Sequence, residues 1–359
     1  MFQLFPVYFA VLFSACDSMM TYIDIESANT PPVLAVSSTI NTDSSFYIAF
    51  TEARSIGSYR NWRAEEETII RKGKITLYDE TDDSLVIQEE SDAFDMSFRS
   101  NASGYSNTYT HIPFQAGHTY RLTLDIEGYP VATSTAVMPE APVIEQVSID
   151  VNQTLHFSNA YQIESFNPNT FSVSPIDCHP LTLRLTDNSP QRDYYITYTK
   201  IMIARYFQTI DFDEIAISDR AVIQDNPDIE ASQMFMDGEA DAFVFDKMLF
   251  SDMSFANTTG TINLLINKDN IKQNDPKYPE PACDKEQRLL FTISLCVAHL
   301  TGDAYAHYRS IALQQAGVGF FSEPVSIISN IENGYGCFSA INTVQKKIVE
   351  YEICDFSNY

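Results

Sequence analysis

Polar and apolar residues alternate along much of this chain, and the alternation predicts strands. In Arg121–Ile126, Leu122, Leu124 and Ile126 fall on one face, and Arg121, Thr123 and Asp125 on the other. That period of two is the mark of a half-buried strand. Val33–Ile40, Phe46–Phe50, Lys74–Tyr78, Leu85–Gln88, Tyr109–Phe114 and Val131–Val137 read similarly, with turn-forming clusters at Asn41–Ser45, Asp79–Ser84, Gln115–Gly117 and Gly128–Pro130. Residues 33–139 therefore hold about seven short strands, the pattern of a small Ig-like or fibronectin-like β-sandwich. Pro139-Glu-Ala-Pro142 breaks the pattern and predicts a domain boundary.

Residues 143–359 continue the strand pattern at Val143–Val151, Leu181–Thr186, Thr261–Ile266, Leu289–Val297 and Lys347–Ile353. Tyr194, Ile196 and Tyr198 share one face of a further strand. Gly302–Gln315 is the strongest helix signal: Tyr305, Tyr308 and Ala312 recur at helical spacing, and Asp303 suits the positive N-terminal end. In Phe321–Phe338, Pro324 bars a helix, Val325, Ile327 and Ile328 suit a strand, and Asn333-Gly334 signals a turn. The fold class expected is mainly β: the sandwich plus a larger β-rich C-terminal domain with one or two short helices.

The first fifteen residues, MFQLFPVYFAVLFSA, carry no charge and are mostly apolar. The run is shorter than the roughly 20 residues a membrane-spanning helix needs. It has the length of a secretory signal ending in small residues, with Cys16 directly after. Residues 1–15 are therefore read as a lipoprotein signal peptide, Cys16 as the lipidation site, and 16–32 as a tether. Such an anchor would hold the chain at a membrane surface. The first residues lack Lys and Arg, and Phe13 stands where such signals favour Leu.

Among the 359 residues, 48 are acidic and 22 basic, a formal net charge of −26. Such a surface repels phosphate backbones, which argues against nucleic-acid binding. The 20 Tyr and 24 Phe residues strengthen the sheet reading.

Candidate chemistry is sparse. No G-x-S-x-G, H-E-x-x-H or phosphate-loop pattern is present, so no catalytic residue is named and a binding role is expected over an enzymatic one. Five cysteines besides Cys16 are present. An oxidising compartment allows disulfides, and Cys283, Cys296, Cys337 and Cys354 are the candidates, with either Cys283–Cys296 or Cys337–Cys354 open as a pair. Cys296 also reads as a small buried hydrophobe within its strand. No histidine spacing supports a metal motif. Acidic turns offer weak calcium candidates at Asp237, Glu239 and Asp241, and at Asp79, Asp82 and Asp83, against the ordinary reading of solvated loops. No cofactor is expected beyond such calcium. Asn330, Glu332, Asn333 and Tyr335 form a candidate ligand loop, set against a purely turn-forming role.

Several pieces, in order, carry a family resemblance. They are Gly117-His-Thr-Tyr-Arg-Leu122, Gly128-Tyr129, Thr133 and Val137-Met-Pro139, then Thr186–Pro190 before Tyr194-Tyr195. Leu249–Phe255, Tyr305, Tyr308, Glu323-Pro-Val325, Ser329–Gly336 and Phe338 follow. Together they resemble the DUF4249 family of Bacteroidetes outer-membrane lipoproteins; Cys337 departs from the apolar residue that often follows the glycine. The resemblance implies a β-rich lipoprotein, lipid-anchored at the outer membrane on its periplasmic or cell-surface face and encoded beside TonB-dependent receptors. It therefore implies an accessory role in uptake of a small ligand or glycan, with a TonB-dependent transporter as partner. The alternative is a structural or adhesive surface protein.

Overall fold

A computed structural model describes residues 32–53, 69–99, 102–163, 171–205, 217–219, 221–223, 242–245, 248–253, 255–268, 288–316 and 326–354. The strands, in chain order, are β1 (Val33–Asn41), β2 (Ser45–Ala53), β3 (Ile70–Asp79), β4 (Ser84–Asp95), β5 (Phe98–Arg99), β6 (Ala102–Ser103) and β7 (Tyr105–Thr110). Next come β8 (Thr119–Ile126), β9 (Ala132–Val137), β10 (Val143–Ile149), β11 (Leu155–Ile163), β12 (Phe171–Thr186), β13 (Tyr194–Arg205) and β14 (Ile217–Asp219). β15 (Ala221–Ile223), β16 (Ala242–Phe245), β17 (Met248–Ser251), β18 (Thr259–Asn267), β19 (Arg288–Leu300), α1 (Gly302–Ala316) and β20 (Gly334–Cys354) complete the order. The protein is mainly β, and α1 is the single helix among the described residues.

One long sheet organises the rest. Its strand order is β14-β13-β19-β20-β1-β2-β7, with β17 also paired to β13. A four-stranded sheet, β4-β3-β8-β9, and a six-stranded one, β10-β12-β11-β16-β15-β18, pack against it. The alternation read from the sequence explains the first contact. Leu34, Val36, Ile40, Phe46, Ile48 and Phe50 of β1 and β2 bury one face against Ile75, Leu77, Leu122, Leu124 and Ile126. Two sheets thus face each other across this core, as in a β-sandwich, and one of them continues into strands from beyond residue 139. The second contact sets Leu181, Leu183, Leu185 and Leu264 against Tyr195, Phe250, Leu295 and Val297. By the β19–β20 register, Val344 stands opposite Val297 and Asn342 opposite His299. Strand side chains alternate faces, so both smaller sheets cover the same face of the long one. α1 lies on the other face, where Leu300, Ala304 and Cys337 pack with Tyr194, Ile196 and Ile341.

The long sheet crosses the boundary expected at Pro139–Pro142. β1 pairs in parallel with β20, from Leu34↔Gly334 to Asn41↔Ile341, and Phe338 and Ala340 complete the N-terminal core. The connection itself is tied to the sheet it passes over. His299 Nδ1 donates to the Glu140 carbonyl at 2.9 Å, and Asn342 Nδ2 to the Pro139 carbonyl at 2.9 Å.

Two local expectations are corrected. Ile327 and Ile328 form no strand; residues 326–331 have no regular structure, and both side chains are about half exposed. Their backbone is held instead by α1: Ser310 Oγ accepts from the Ile328 amide at 3.0 Å, and His307 Nδ1 donates to the Ile328 carbonyl. The last strand does not begin at Lys347. β20 runs unbroken from Gly334 to Cys354 because β19 and β1 supply hydrogen-bonding partners along its two edges.

Candidate functional site

A cleft of about 440 Å³ opens on the face of the long sheet opposite the N-terminal core. Its floor follows from the strand pattern. Between the buried Leu34, Val36, Ile48 and Phe50 stand the alternate residues Ala35, Ser37, Ala49 and Thr51. Register lines them up: Ala35 faces Thr51 on one side and Tyr335 on the other, and Ser37 faces Ala49 and Cys337. Small side chains on neighbouring strands leave a depression. His307 and Ile311 of α1 wall it on one side, with Ile327 and Tyr335 beside them.

Tyr335 is held at this cleft by the residues around it. Its side chain is 62% exposed. The backbone on either side is fixed by close approach to β1. Gly336 has φ +109°, and a Cβ built there would lie 1.9 Å from the Val36 carbonyl oxygen. No side chain fits that position, and few L residues adopt that φ. The family-like Gly-Tyr-Gly is therefore a strand crossing that presents Tyr335, rather than a turn.

The other three candidate loop residues do structural work. The Asn330 amide mimics a strand partner for Phe338, with Nδ2 donating to its carbonyl at 2.8 Å and Oδ1 accepting from its N–H at 2.9 Å. Glu332 forms a bridge with Thr133, its N–H donating at 2.8 Å and its carbonyl accepting at 3.2 Å. Asn333 takes φ 57° and donates from Nδ2 to the Val131 carbonyl at 3.1 Å. Of the four candidates, Tyr335 alone lines the cleft. The floor residues were missed, although small residues at alternate positions of β1 and β2 mark a shallow face.

His307 gives the cleft a polar edge. Its Nδ1 must donate, because the Ile328 carbonyl can only accept. In the neutral ring Nε2 is then the acceptor. The cleft offers a floor of small side chains, the ring and phenol of Tyr335 and an imidazole, and it falls within the roughly 300–1,000 Å³ range of small-ligand sites.

Asp79, Asp82 and His118 each place one donor atom within 4.8 Å of the others. Asp79 is buried, and its carboxylate already serves the β3–β4 turn. Its Oδ1 accepts from the Thr81 amide at 2.9 Å and the Asp82 amide at 3.2 Å, while Oδ2 meets His118 Nδ1 at 2.8 Å. Burial pushes the Asp79 carboxyl up, but the hydrogen bonds from His118 and the two amides outweigh it and leave it below its ordinary value. The same contact with Asp79 raises His118. The group is fully explained as a turn lock.

The disulfide candidates need correction. Cys178, Cys296 and Cys337 are free, buried thiols. Cys337 and Cys354 lie on the same strand. At roughly 3.3 Å per residue they are on the order of 55 Å apart, whereas a disulfide needs Cα atoms within about 7 Å. Cys296 sits in β19 opposite Gln345 and Tyr198. Cys283, the lipidation candidate Cys16, and the calcium candidates Asp237, Glu239 and Asp241 lie outside the described residues. Among those described, no helix is long and apolar enough to cross a membrane.

No curated protein matches the chain. Residues 21–347 match the family described as "Domain of unknown function (DUF4249)". That span runs from ahead of β1 into β20, across all three main sheets and the cleft, and the chain belongs to the DUF4249 family.

Proposed function

We propose that this chain is a binding component of the cell envelope, anchored through Cys16, that presents a small ligand or glycan to a TonB-dependent outer-membrane transporter. The cleft beside Tyr335 carries this reading. An exposed tyrosine over a floor of small side chains suits the flat face of a sugar or similar ring, since aromatic rings bury large areas and keep a polar tip. Its backbone is fixed before any ligand arrives, so little ordering cost accompanies binding.

Two experiments test it. Membrane-extracted full-length protein, captured and analysed by mass spectrometry, should bring a stoichiometric outer-membrane barrel with it. Its absence, together with retention on matrix polymers, would replace the transport role with the adhesive one. Separately, glycans from a panel that bind the purified chain should lose at least tenfold in affinity, about 1.4 kcal/mol, on Ala49→Trp, which fills the cleft floor. Unchanged binding by that variant would place the ligand elsewhere.

A further inference from the structure

A buried carboxylate group lies away from the cleft. Asp187 is 2% exposed and Asp252 1%. The topology forces them together. β13 and β17 pair Tyr194 with Ser251, and the ladder continues one step, the Asp252 amide donating to the Asp193 carbonyl at 3.1 Å. Asp193 and Asp252 thus stand opposite each other just past the strand ends. Asp187, at the end of β12, reaches the same loop: its amide donates to the Thr258 carbonyl at 3.0 Å. Its carboxylate accepts from the Ser189 amide at 2.8 Å and the Asn257 amide at 2.6 Å.

The surrounding charges do not balance this group. His299 Nε2, from β19, lies 3.5 Å from Asp193 Oδ1. Tyr195 of β13 and Arg192 of the connecting loop are the other titratable or charged neighbours. Asp252 Oδ2 is fully buried with no hydrogen-bond partner. A buried ionised oxygen without a partner is costly, and adjacent like charges resist full ionisation. A proton on Asp252 removes both problems, because the O–H can donate to Asp187, whose oxygens already accept from two amides.

We propose that Asp252 carries a proton and donates it in a hydrogen bond to the Asp187 carboxylate, and that this carboxyl–carboxylate pair is a pH-sensitive lock holding the β12–β13 turn to the loop after β17. When the proton leaves to solvent, no hydrogen remains between the two carboxylates and the loop loosens. The direction of titration agrees. Burial, with repulsion from Asp187, pushes the Asp252 carboxyl up, and burial likewise pushes up Asp193. A raised folded-state value means the folded form binds the proton more tightly. The stabilisation is complete below the ordinary carboxyl value of about 3.9 and is lost as pH rises through the folded value.

The test is hydrogen–deuterium exchange of peptides covering 187–190 and 252–258, corrected for intrinsic rates, at pH 5 and pH 8. Wild type should exchange at least tenfold faster at pH 8. Asp252→Asn, whose amide donates at any pH, should stay protected at both. Equal protection of wild type at the two pH values overturns the lock, as does an Asn variant that opens like wild type. Protection at pH 8 that calcium restores and chelator removes would assign the site to a cation and also overturn it. If the variant does not fold, infrared spectroscopy of wild type decides: a buried protonated-carboxyl band persisting at pH 6 supports the lock, and its absence refutes it.

Discussion

Gly336→Ala tests the construction of the cleft most directly. The added methyl would meet the Val36 carbonyl oxygen at 1.9 Å, about 1.5 Å short of an ordinary contact. Neither atom sits on a flexible side chain, so the clash is relieved only by moving β20 from β1. That loosens two or three ladder hydrogen bonds at about 1 kcal/mol each. The φ of +109° adds about 1–3 kcal/mol for a residue with a Cβ. The combined cost is about 3–6 kcal/mol, a large share of the roughly 5–15 kcal/mol that holds a typical protein folded. Gly117→Ala is the matched control, with φ +80° but open space around the new methyl; it should cost about 1–2 kcal/mol. With a urea slope of about 3 kcal/mol/M, the midpoint should fall by about 1–2 M for Gly336→Ala and about 0.5 M for the control. Equal shifts for the two variants would refute the claim that close approach to β1, rather than backbone conformation alone, requires glycine here.

The candidate loop should divide in the same way. Asn330→Ala strands the Phe338 backbone groups and should cost about 1–3 kcal/mol in thermal or urea unfolding, whereas Tyr335→Ala should leave stability within about 1 kcal/mol and reduce glycan affinity. Phe338→Ala empties a fully buried site and should cost about 3–5 kcal/mol by the same unfolding assay. Burial pushes the Cys178 thiol up to about 11 and, with Asp303 adding to it, the Cys337 thiol up to about 12. Native protein at pH 8 should therefore resist alkylation at both, with modification appearing by mass spectrometry only after denaturation. For the Asp79–His118 pair, the lowered carboxyl stabilises above its unfolded value and the raised imidazole stabilises below its own. Their joint contribution is greatest between about pH 4 and 6.5. NMR titration should show His118 returning towards its ordinary value in Asp79→Asn.

Strand existence and facing were decided locally. Alternation in Arg121–Ile126 places Leu122, Leu124 and Ile126 inside, and all three are buried; a period of two allows no other arrangement once one face meets a core. The helix at 302–316 was legible for the same reason, from a spacing that only a helical face satisfies. The family was legible in ordered short motifs, and glycine at 336 in the Gly-Tyr-Gly among them.

What local pattern could not supply is partnership. The parallel pairing of β1 with β20 joins residues about 300 positions apart, and nothing in either strand's alternation names its neighbour. That single pairing presses Gly336 against β1, aligns Tyr335 with Ala35 and Thr51, and so creates the cleft. It also stretches β20 to a length that separates Cys337 from Cys354. The same holds for Asp187 and Asp252, which become a buried pair only when β13 takes β17 as its partner. Side-chain periodicity fixes which face a residue shows, while hydrogen-bond pairing between distant strands decides what that face meets.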